Sequence, residues 1–487
     1  MKGKEQISIV WLKRNLRLHD NEAIVNALKS GNRILFLYVF ENSLLSDEHY
    51  SERHWNFIKQ SLHDINLSLK QYDTHVLCVN SEVVSFFRYL NSFYDITNVF
   101  SHLETGILKT FNRDKTFKRF CLNNSIKWTE NIHNGVFRGR KNRENWVSDW
   151  QDHMNSKQLV FNPNSNSFLI SEEIEGIAKE LKQVPLKTNK DNSFQRGGVT
   201  TAVKYMDSFF NERFENYSKH ISKPNEARES CSRLSPYIAW GNLSVREVFQ
   251  RVKTLRANSK NKRALDAFSS RLRWQAHFIQ KFEMECIMEK ESINKGFSKL
   301  KKNVSEQYVK AWEIGKTGVP IIDACMRCLI TTGYLNFRMR AMLVSFFTFN
   351  LWQPWQEASK YLSKLFLDFE PGIHFPQLQM QAGETGINTV RIYNPIKNGL
   401  EHDPEALFIT KWVSELKGLP TAFKHEPYKM TYLEQRLYDF DLGVDYPNPI
   451  VDLKSSRKKA SDTIWNMKKD PEVINESYRI LKKHIVK

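Results

Sequence analysis

The sequence predicts an α/β domain with a doubly wound parallel sheet, followed by a long linker and an all-helical domain. Strand-like runs alternate with helical patterns in the first part of the chain, and this order builds parallel sheets. Asn, Ser, Gly and Lys then become frequent, and beyond Gly197 the helical period dominates. We therefore place the α/β domain at residues 1–132, the linker at 133–196 and the helical domain at 197–487.

The predicted sheet rests on short runs of β-branched and aromatic residues. Between these runs, Ser51 to Lys70 carries apolar residues at alternating spacings of three and four, which predicts an amphipathic helix with Ser51 as its N-cap. Parallel sheets of this kind often bind nucleotides at the carboxyl ends of their strands, but no G-x-G-x-x-G or Walker loop is present. The predicted strands are Ile7–Leu12, Arg33–Phe40, Thr74–Asn80, Asp95–Ser101 and Ile126–Thr129.

The second half of the chain shows apolar residues at helical spacing and few strand signals. No internal repeat is evident, so this half reads as one large domain. The predicted helices are Ala202–Arg213, Val245–Lys253, Ala264–Cys286, Tyr308–Trp312, Ile321–Thr332, Arg338–Trp352 and Gln356–Leu367.

Composition narrows the class of protein. The chain has 487 residues, 41% of them hydrophobic, with 32 Phe, 17 Tyr and 12 Trp, which excludes wholesale disorder. The formal net charge is +18 with a pI near 9.4, so a polyanionic partner is expected, most often nucleic acid. Six Cys fit a reduced, cytoplasmic protein better than a disulfide scaffold. The longest apolar stretch, Ala341 to Trp352, contains polar residues and predicts a buried helix, not a membrane span.

Several patterns in the helical half allow two interpretations. Arginines beside aromatics suit phosphate contacts with ring stacking, but core aromatics flanked by solvated arginines are the commoner arrangement. The C-x-x-C of Cys325 and Cys328 has no second pair, which favours a structural role. Asp368 and Glu370 suggest acid–base chemistry or a metal, but no His or Cys cluster with zinc spacing lies close, and no metal site is predicted.

Five longer motifs are spread over nearly the whole chain. They are I-V-W-L-K-R-N-L-R-L-H-D-N from Ile9, S-R-L-S-P-Y-I-A-W-G-N-L-S from Ser232, A-W-E-I-G-K-T-G-V-P-I-I-D-A-C-M-R from Ala311, R-I-Y-N-P from Arg391 and D-Y-P-N-P-I-V-D from Asp445. In sequence and in order, these motifs resemble those of the DNA photolyase and cryptochrome family.

The resemblance implies an antenna-type α/β domain and a helical domain that holds FAD. Arg340 and Asp368 match the salt-bridged pair beside the flavin ring, and Glu370 matches an aspartate near the ring and adenosine. The pair of carboxylates is thus better interpreted as cofactor contacts. The residues expected at the FAD phosphates are Tyr217, Ser232, Arg233, Leu234 and Ser235.

The resemblance also implies light-driven electron transfer from reduced flavin to a flipped-out pyrimidine lesion. Trp274 matches an aromatic that packs on the lesion, and Arg338 matches an arginine near the DNA phosphates. Trp312 and Trp355 match the two outer tryptophans of the family's electron-transfer chain.

The departures from the family pattern cluster at the lesion pocket and the flavin ring. Arg271 replaces a glutamate that hydrogen-bonds the substrate, and Phe337 replaces a polar Asn or His. Leu378 and Met380 stand where two tryptophans are usual, so the flavin-proximal tryptophan is missing. His374 falls where an Asn, Asp or Cys faces flavin N5. Tyr361 and Trp352 are candidates to bridge the electron gap, whereas Phe375 is hard to oxidise.

The second, antenna chromophore stays unidentified. His102, Glu104 and Thr105 lie at the expected rim of the sheet. Lys109 and Thr110, however, stand where a folate antenna would need Asn and Glu, so the antenna is either absent or chemically different.

The leading functional hypothesis is a blue-light-dependent DNA photolyase, a carbon–carbon lyase of the deoxyribodipyrimidine photo-lyase type, acting as a monomer on UV-damaged DNA. The alternative is a cryptochrome-like photoreceptor that binds FAD without repair and has a protein signalling partner. The altered pocket favours the alternative, whereas the absence of a long disordered tail counts against it. An aminoacyl-tRNA synthetase would share a basic helical domain, but its H-x-G-H signature is missing.

Overall fold

The α/β domain is built on a parallel sheet with strand order β3-β2-β1-β4-β5. The computed structural model describes residues 4–164, 166–188, 191 and 193–485. Because the chain runs from β1 outward to β3 and then returns to β4 beside β1, the order reverses between β1 and β4, as in doubly wound folds. The strands are β1 (Gln6–Trp11), β2 (Arg33–Phe40), β3 (Val76–Asn80), β4 (Asp95–His102) and β5 (Lys127–Asn131).

Helices cover both faces of this sheet and make up most of the remaining chain. The first α-helices are α1 (Glu22–Leu28), α2 (Asn42–Leu45), α3 (Glu52–Leu69), α4 (Val83–Leu90), α5 (Leu108–Asn123), α6 (Trp146–Asn155) and α7 (Ser171–Ala178). The helical half contains α8 (Val199–Asn211), α9 (Tyr217–His220), α10 (Ala227–Ser230), α11 (Ser235–Ala239), α12 (Val245–Asn258), α13 (Lys262–Met284), α14 (Glu306–Glu313), α15 (Pro320–Thr332), α16 (Phe337–Ser345), α17 (Trp355–Leu365), α18 (Pro371–Gln381), α19 (Pro395–His402), α20 (Leu407–Trp412), α21 (Thr421–His425), α22 (Tyr432–Leu437), α23 (Leu453–Met467) and α24 (Pro471–His484).

The predicted fold class is confirmed, with three local differences. The linker range carries two helices, α6 and α7, which its polar composition concealed. The helix predicted over Arg338–Trp352 ends at Ser345 and continues as a π-helical turn, Phe346–Asn350. Helix α18 has Pro376 in its interior and was not predicted, because proline argues against a helix in sequence. The boundaries at 132 and 196 stay predictions.

Residues on successive strand positions enter two different cores, as expected for a sheet covered on both faces. On β1, Ile9 and Trp11 pack toward α4, α5 and α7, whereas Val10 packs with α3 and the helical domain. Ser51 precedes α3 as predicted, but its hydroxyl donates to the carbonyl of Lys364 in the helical domain at 2.7 Å. The sheet and the helical domain thus share one continuous apolar core.

The segment that follows β1 joins the two domains. The amide of Leu16 donates to the carbonyl of Trp240 at 3.2 Å, and its carbonyl accepts from Asn242 at 3.0 Å. Gly241, at φ +77°, lies so close that a Cβ there would be 2.1 Å from the carbonyl oxygen of Arg14. Residues of the N-terminal motif thus serve largely to hold the α/β domain against the helical domain.

Candidate functional site

The loop before α11 is held in a strained conformation by its own arginine. Arg233 has φ +60°, which is uncommon for a residue with a side chain. Its guanidinium donates to Gln195 Oε1 at 2.8 Å and stacks on the Tyr334 ring at 3.8 Å, while Gln195 Nε2 donates back to the Arg233 carbonyl at 2.9 Å. Arg233 thus shapes the loop that carries Ser232 and Ser235.

The next residues place an exposed hydroxyl beside the ion pair of Arg340 and Asp368, whose side chains are 25% and 8% exposed. Ser235 is exposed, although Leu234 and Pro236 on either side are buried. Both terminal nitrogens of Arg340 donate to the carboxylate of Asp368 at 2.9 Å. Burial alone would raise the pKa of Asp368, but the charge and hydrogen bonds of Arg340, with the Ser235 hydroxyl assisting, hold the pKa below its usual value.

Arg340 is further fixed by its surroundings. Its Nε donates to the Leu335 carbonyl at 2.6 Å, and its guanidinium lies 4.1 Å from the centre of the Phe366 ring. Five donors in a planar fork make arginine suited to this arrangement, and lysine would not reproduce it.

Tyr217 and Arg271 are brought together, although one was predicted at the phosphates and the other at the lesion. Tyr217 is buried against the rings of Phe209 and Phe268, with centroids 5.9 and 5.7 Å away. Burial raises the pKa of the Tyr217 hydroxyl, and the adjacent Arg271 guanidinium opposes part of that rise. Arg271 itself is exposed, so its positive charge lies at the surface next to Tyr217, which is predicted to contact the FAD phosphates.

Glu370 faces the α/β domain. Its carboxylate lies 3.6 Å from Arg14 Nη1, and the same nitrogen donates to the Phe369 carbonyl at 3.0 Å. Burial raises the pKa of Glu370 to about 7, against the attraction of Arg14 and with a further contribution from Glu104.

A small cavity of about 20 Å³ lies beside Glu370 at the carboxyl ends of β1 and β4. The residues predicted at the rim of the sheet, His102, Glu104 and Thr105, are part of its lining. Burial lowers the pKa of His102 well below its usual value, so its imidazole is neutral. The complete lining is Lys13, Arg14, His102, Leu103, Glu104, Thr105, His133, Asn134, Val136, Ile279 and Glu370.

His374 is buried and neutral, because burial lowers its pKa to about 3. Its Nε2 lies 3.0 Å from the carbonyl oxygen and 3.1 Å from the hydroxyl oxygen of Ser359. The hydroxyl can donate or accept, but the carbonyl can only accept, which favours the tautomer with the proton on Nε2 and Nδ1 as an acceptor.

The residues predicted at the lesion are at least partly exposed and lie on three helices, α13, α16 and α18. Trp274 is 50% exposed and Phe337 51% exposed, whereas Arg338 and Met380 are half-buried. Trp274 is supported from behind by His277 and Phe278, at 5.4 and 5.9 Å between ring centroids.

The two outer tryptophans are both fully buried. Trp312 packs on Phe347 at 4.5 Å and lies 6.4 Å from the ring of Tyr361. Leu378, predicted to replace the flavin-proximal tryptophan, is also buried, and Phe375 stacks on Phe282 at 5.5 Å. Tyr361, one of the two residues predicted to bridge the electron gap, is thus a neighbour of Trp312.

Sequence reasoning missed the supporting residues. Gln195 and Tyr334 fix Arg233, Ser359 fixes His374, and Arg14 holds Glu370. Arg14 lies inside the N-terminal motif, which was the available signal. The other three lie in unremarkable sequence and become neighbours only through the fold.

An α/β domain followed by a large helical domain is the arrangement of one class of flavin-binding proteins. Two family models match this chain and identify that class. Residues 8–138 match the model described as DNA photolyase, and residues 268–466 match the FAD binding domain of DNA photolyase. Together these matches span more than half of the sequence. The chain belongs to the DNA photolyase and cryptochrome family, and its helical domain is an FAD-binding domain.

Relatives carry both kinds of name. A deoxyribodipyrimidine photo-lyase of Alkalihalophilus pseudofirmus is 25% identical over 483 residues, 94% of this chain and 98% of the relative. A cryptochrome DASH of Gloeobacter violaceus is also 25% identical, over 94% of this chain and 95% of the relative. Among solved structures, a Synechocystis cryptochrome has a TM-score of 0.84 at 21% identity, covering 95% of this chain and all of that one. An Agrobacterium tumefaciens class III photolyase has a TM-score of 0.81 at 22% identity, covering 96% and 99%.

The residues present fit a flavin dinucleotide. The exposed Ser235 hydroxyl suits contact with a phosphate, and the Arg340–Asp368 pair places fixed charge where a polar ring is expected. Among the described residues, no group of His, Cys, Asp and Glu is arranged to hold a metal ion. In the same part of the chain, no helix has the length and apolar character needed to cross a membrane.

Proposed function

We propose that this flavoprotein is a blue-light-dependent DNA photolyase that repairs UV-induced pyrimidine lesions. The observation that carries the proposal is the arrangement of α16. Phe337 at its start is half exposed, whereas Arg340, one turn later, is bonded to Asp368 inside the domain. A surface for an extruded base thus lies one helical turn from the expected flavin contacts.

The chain's own groups have distinct roles in this proposal. The hydroxyls of Ser232 and Ser235, with Tyr217, bind the pyrophosphate, and Arg233 with Leu234 fixes their loop. When bound and reduced, FAD supplies the electron that light drives to the lesion. Arg340 and Asp368 orient the ring, and Glu370 supports this side from the domain contact.

His374 has a defined capacity beside the ring. Because Nε2–H is engaged by Ser359, only the unprotonated Nδ1 is left for a ligand. His374 therefore accepts a hydrogen bond, and does not add positive charge near the flavin, since its pKa is about 3.

In this proposal, exposed and half-buried side chains on α13, α16 and α18 contact the damaged DNA. Trp274 stacks on the extruded base, Phe337 and Met380 add apolar contact, and Arg338 and Arg271 contact phosphates. Trp312 and Trp355 serve in restoring the reduced flavin. We propose that the protein acts as a monomer in the cytoplasm. The net charge of +18 supports its contact with DNA.

The alternative is a cryptochrome-like photoreceptor, and Arg271 favours it. A guanidinium is donor-only, so it cannot replace the accepting carboxylate that the family's dimer-repairing members present to the lesion. A DNA-binding photoreceptor with a protein partner would tolerate this change.

Repair of defined lesions decides between the two. Protein with chemically reduced FAD is given oligonucleotides that contain either a cyclobutane dimer or a (6-4) product, under blue light and in darkness. We expect light-dependent repair of at least one lesion. Absence of repair of both lesions would reject the photolyase proposal.

A matched pair of variants locates the lesion surface. Trp274→Ala removes a stacking partner and should weaken binding of damaged DNA by about 1–3 kcal/mol, or roughly 5- to 150-fold. Trp465→Ala is the control, because this indole on α23 is equally exposed at 50%. Equal effects of the two substitutions would place DNA elsewhere.

A further inference from the structure

A hydrogen-bonded chain leads from the indole of Trp355 to a buried carboxylate. Trp355 Nε1 donates to Ser292 Oγ at 3.1 Å, and Ser292 Oγ donates to Glu384 Oε2 at 2.6 Å. The other oxygen of Glu384 accepts from Lys302 Nζ at 3.1 Å. Trp355 is fully buried, the Lys302 and Glu384 side chains are 3% and 8% exposed, and Ser292 between them is half-buried.

The direction of this chain is fixed by chemistry. An indole N–H can only donate, and a carboxylate paired with an ammonium accepts at both oxygens. The Ser292 hydroxyl must therefore accept from Trp355 and donate to Glu384. A proton can leave the indole along this chain without either group changing place, because each donor already lies within hydrogen-bond reach of its acceptor.

The position of Ser292 is set by a buried glutamine. Gln379 Nε2 donates to the carbonyls of Met288 and Glu291, both at 2.8 Å, and Gln379 Oε1 accepts from the amide of Ile293 at 2.8 Å. These three hydrogen bonds fix the loop from Met288 to Ile293, and so they hold Ser292 next to the Trp355 indole. Gln379 is thus a positioning residue for the chain.

Trp312 provides the contrast inside the same molecule. It is as deeply buried as Trp355, but its Nε1 has no hydrogen-bond partner within the described residues. An oxidised indole is far more acidic than the neutral one, and only Trp355 has a base connected to its nitrogen. The two tryptophans therefore differ in what happens to the proton after an electron leaves.

We propose that Trp355 is a proton-coupled electron donor whose proton passes through Ser292 to Glu384. This inference rests on the proposed light-dependent flavin function, which supplies the oxidant, the light-excited oxidised isoalloxazine of FAD. One electron leaves the Trp355 ring for that acceptor. The indole N–H bond breaks as a new O–H bond forms on Ser292, while the original Ser292 O–H bond breaks as one forms on Glu384.

The products of this step are a neutral indole radical, a protonated Glu384 and a flavin reduced by one electron. Return of the electron then requires return of the proton. The chain should therefore prolong charge separation and raise the yield of reduced flavin, which partly offsets the loss of the proximal tryptophan at Leu378.

Transient absorption of the FAD-loaded protein tests the proposal, because the cationic and neutral indole radicals absorb at different wavelengths. We expect mainly the neutral radical in the wild type, and its loss in Trp355→Phe. Ser292→Ala and Glu384→Gln should leave the cation and lower the neutral fraction about ten-fold or more. Ser292→Thr restores a hydroxyl and should restore the neutral radical.

Ser363→Ala is the matched control, since this serine is fully buried on α17 and bonds only within its own helix in the described structure. FAD content and thermal unfolding are measured for every variant. Ser292→Ala keeps the Lys302–Glu384 ion pair. It therefore tests the proton relay, the chain from Trp355 through Ser292 to Glu384, even where Glu384→Gln fails to fold.

The proposal is overturned by a wild type without an indole radical, by a radical that persists in Trp355→Phe, or by a neutral radical that persists in both relay variants. Repair by wild-type protein with chemically reduced FAD is measured in parallel. Because that assay does not need Trp355, its failure rejects the photolyase function and leaves the relay result to stand separately.

Discussion

The two sides of the proposed flavin site differ in how firmly their residues are held. On the inner side, Arg340 makes hydrogen bonds to Asp368 and Leu335 and packs on an aromatic ring. On the outer side, Trp274 and Phe337 are half exposed, and their rings contribute surface area with few fixed contacts. The inner side places charge with precision, whereas the outer side presents an adaptable surface.

This difference accounts for part of the pattern expected from the family resemblance. A bidentate pair and a strained loop each demand one kind of residue, which agrees with the predicted match at Arg340, Asp368 and the loop around Arg233. An exposed stacking surface accepts many side chains, and the predicted departures at Phe337 and Arg271 fall on exposed residues. The predicted departures at His374 and Leu378 fall on buried residues, so exposure does not explain them.

The largest expected effect follows from breaking the inner pair. Arg340→Ala leaves Asp368 buried without its partner, which should lower the free energy of unfolding by roughly 3 kcal/mol and remove most bound FAD. Chemical denaturation and flavin absorbance measure both effects. Arg457→Ala is the control, because this arginine on α23 is exposed. Unchanged flavin content in Arg340→Ala would remove Arg340 from the site.

A smaller effect concerns the pH dependence at Glu370. Its pKa rises from an ordinary 4.5 to about 7 in the fold, so the folded state binds the proton more tightly than the unfolded chain. The associated stability is fully present below pH 4.5 and is lost as pH rises through 7. Glu370→Gln should remove this loss, and raise stability at pH 8 relative to pH 5 by roughly 1–3 kcal/mol compared with the wild type.

Thermal unfolding of wild type and Glu370→Gln at several pH values measures the difference. Glu434→Gln serves as the comparison, since Glu434 caps α22 near the surface and far from Arg14 in sequence. Parallel pH profiles for wild type and Glu370→Gln would show that Glu370 does not titrate in this range.

The smallest effect probes the outer side. Arg338→Gln should weaken DNA binding and reduce the slope of log affinity against log salt by about 0.9, the value for one lost phosphate contact. Lys70→Gln, an exposed charge at the end of α3, should leave that slope unchanged. Equal slopes for Arg338→Gln and the wild type would exclude Arg338 from phosphate contact.

Sequence alone predicted what depends on local pattern. The strands and most long helices follow from residue periodicity, and Arg340 with Asp368 follows from a motif. Helix α18 was missed because Pro376 interrupts its pattern, although its neighbours support it in the fold. The hydrogen-bonded chain from Trp355 to Glu384 was missed because Ser292, Lys302 and Glu384 lie on segments without a distinctive sequence and meet Trp355 only in the fold.

The contact at Gly241 bears on how this molecule can be taken apart or recombined. A methyl group at this position would collide with the backbone of Arg14 in the other domain. The two halves therefore match each other at the level of main-chain atoms, and a hybrid that joins this α/β half to a helical half from a relative must carry both faces of the contact. Heating should melt both halves in a single cooperative transition, since neither keeps its surface covered alone.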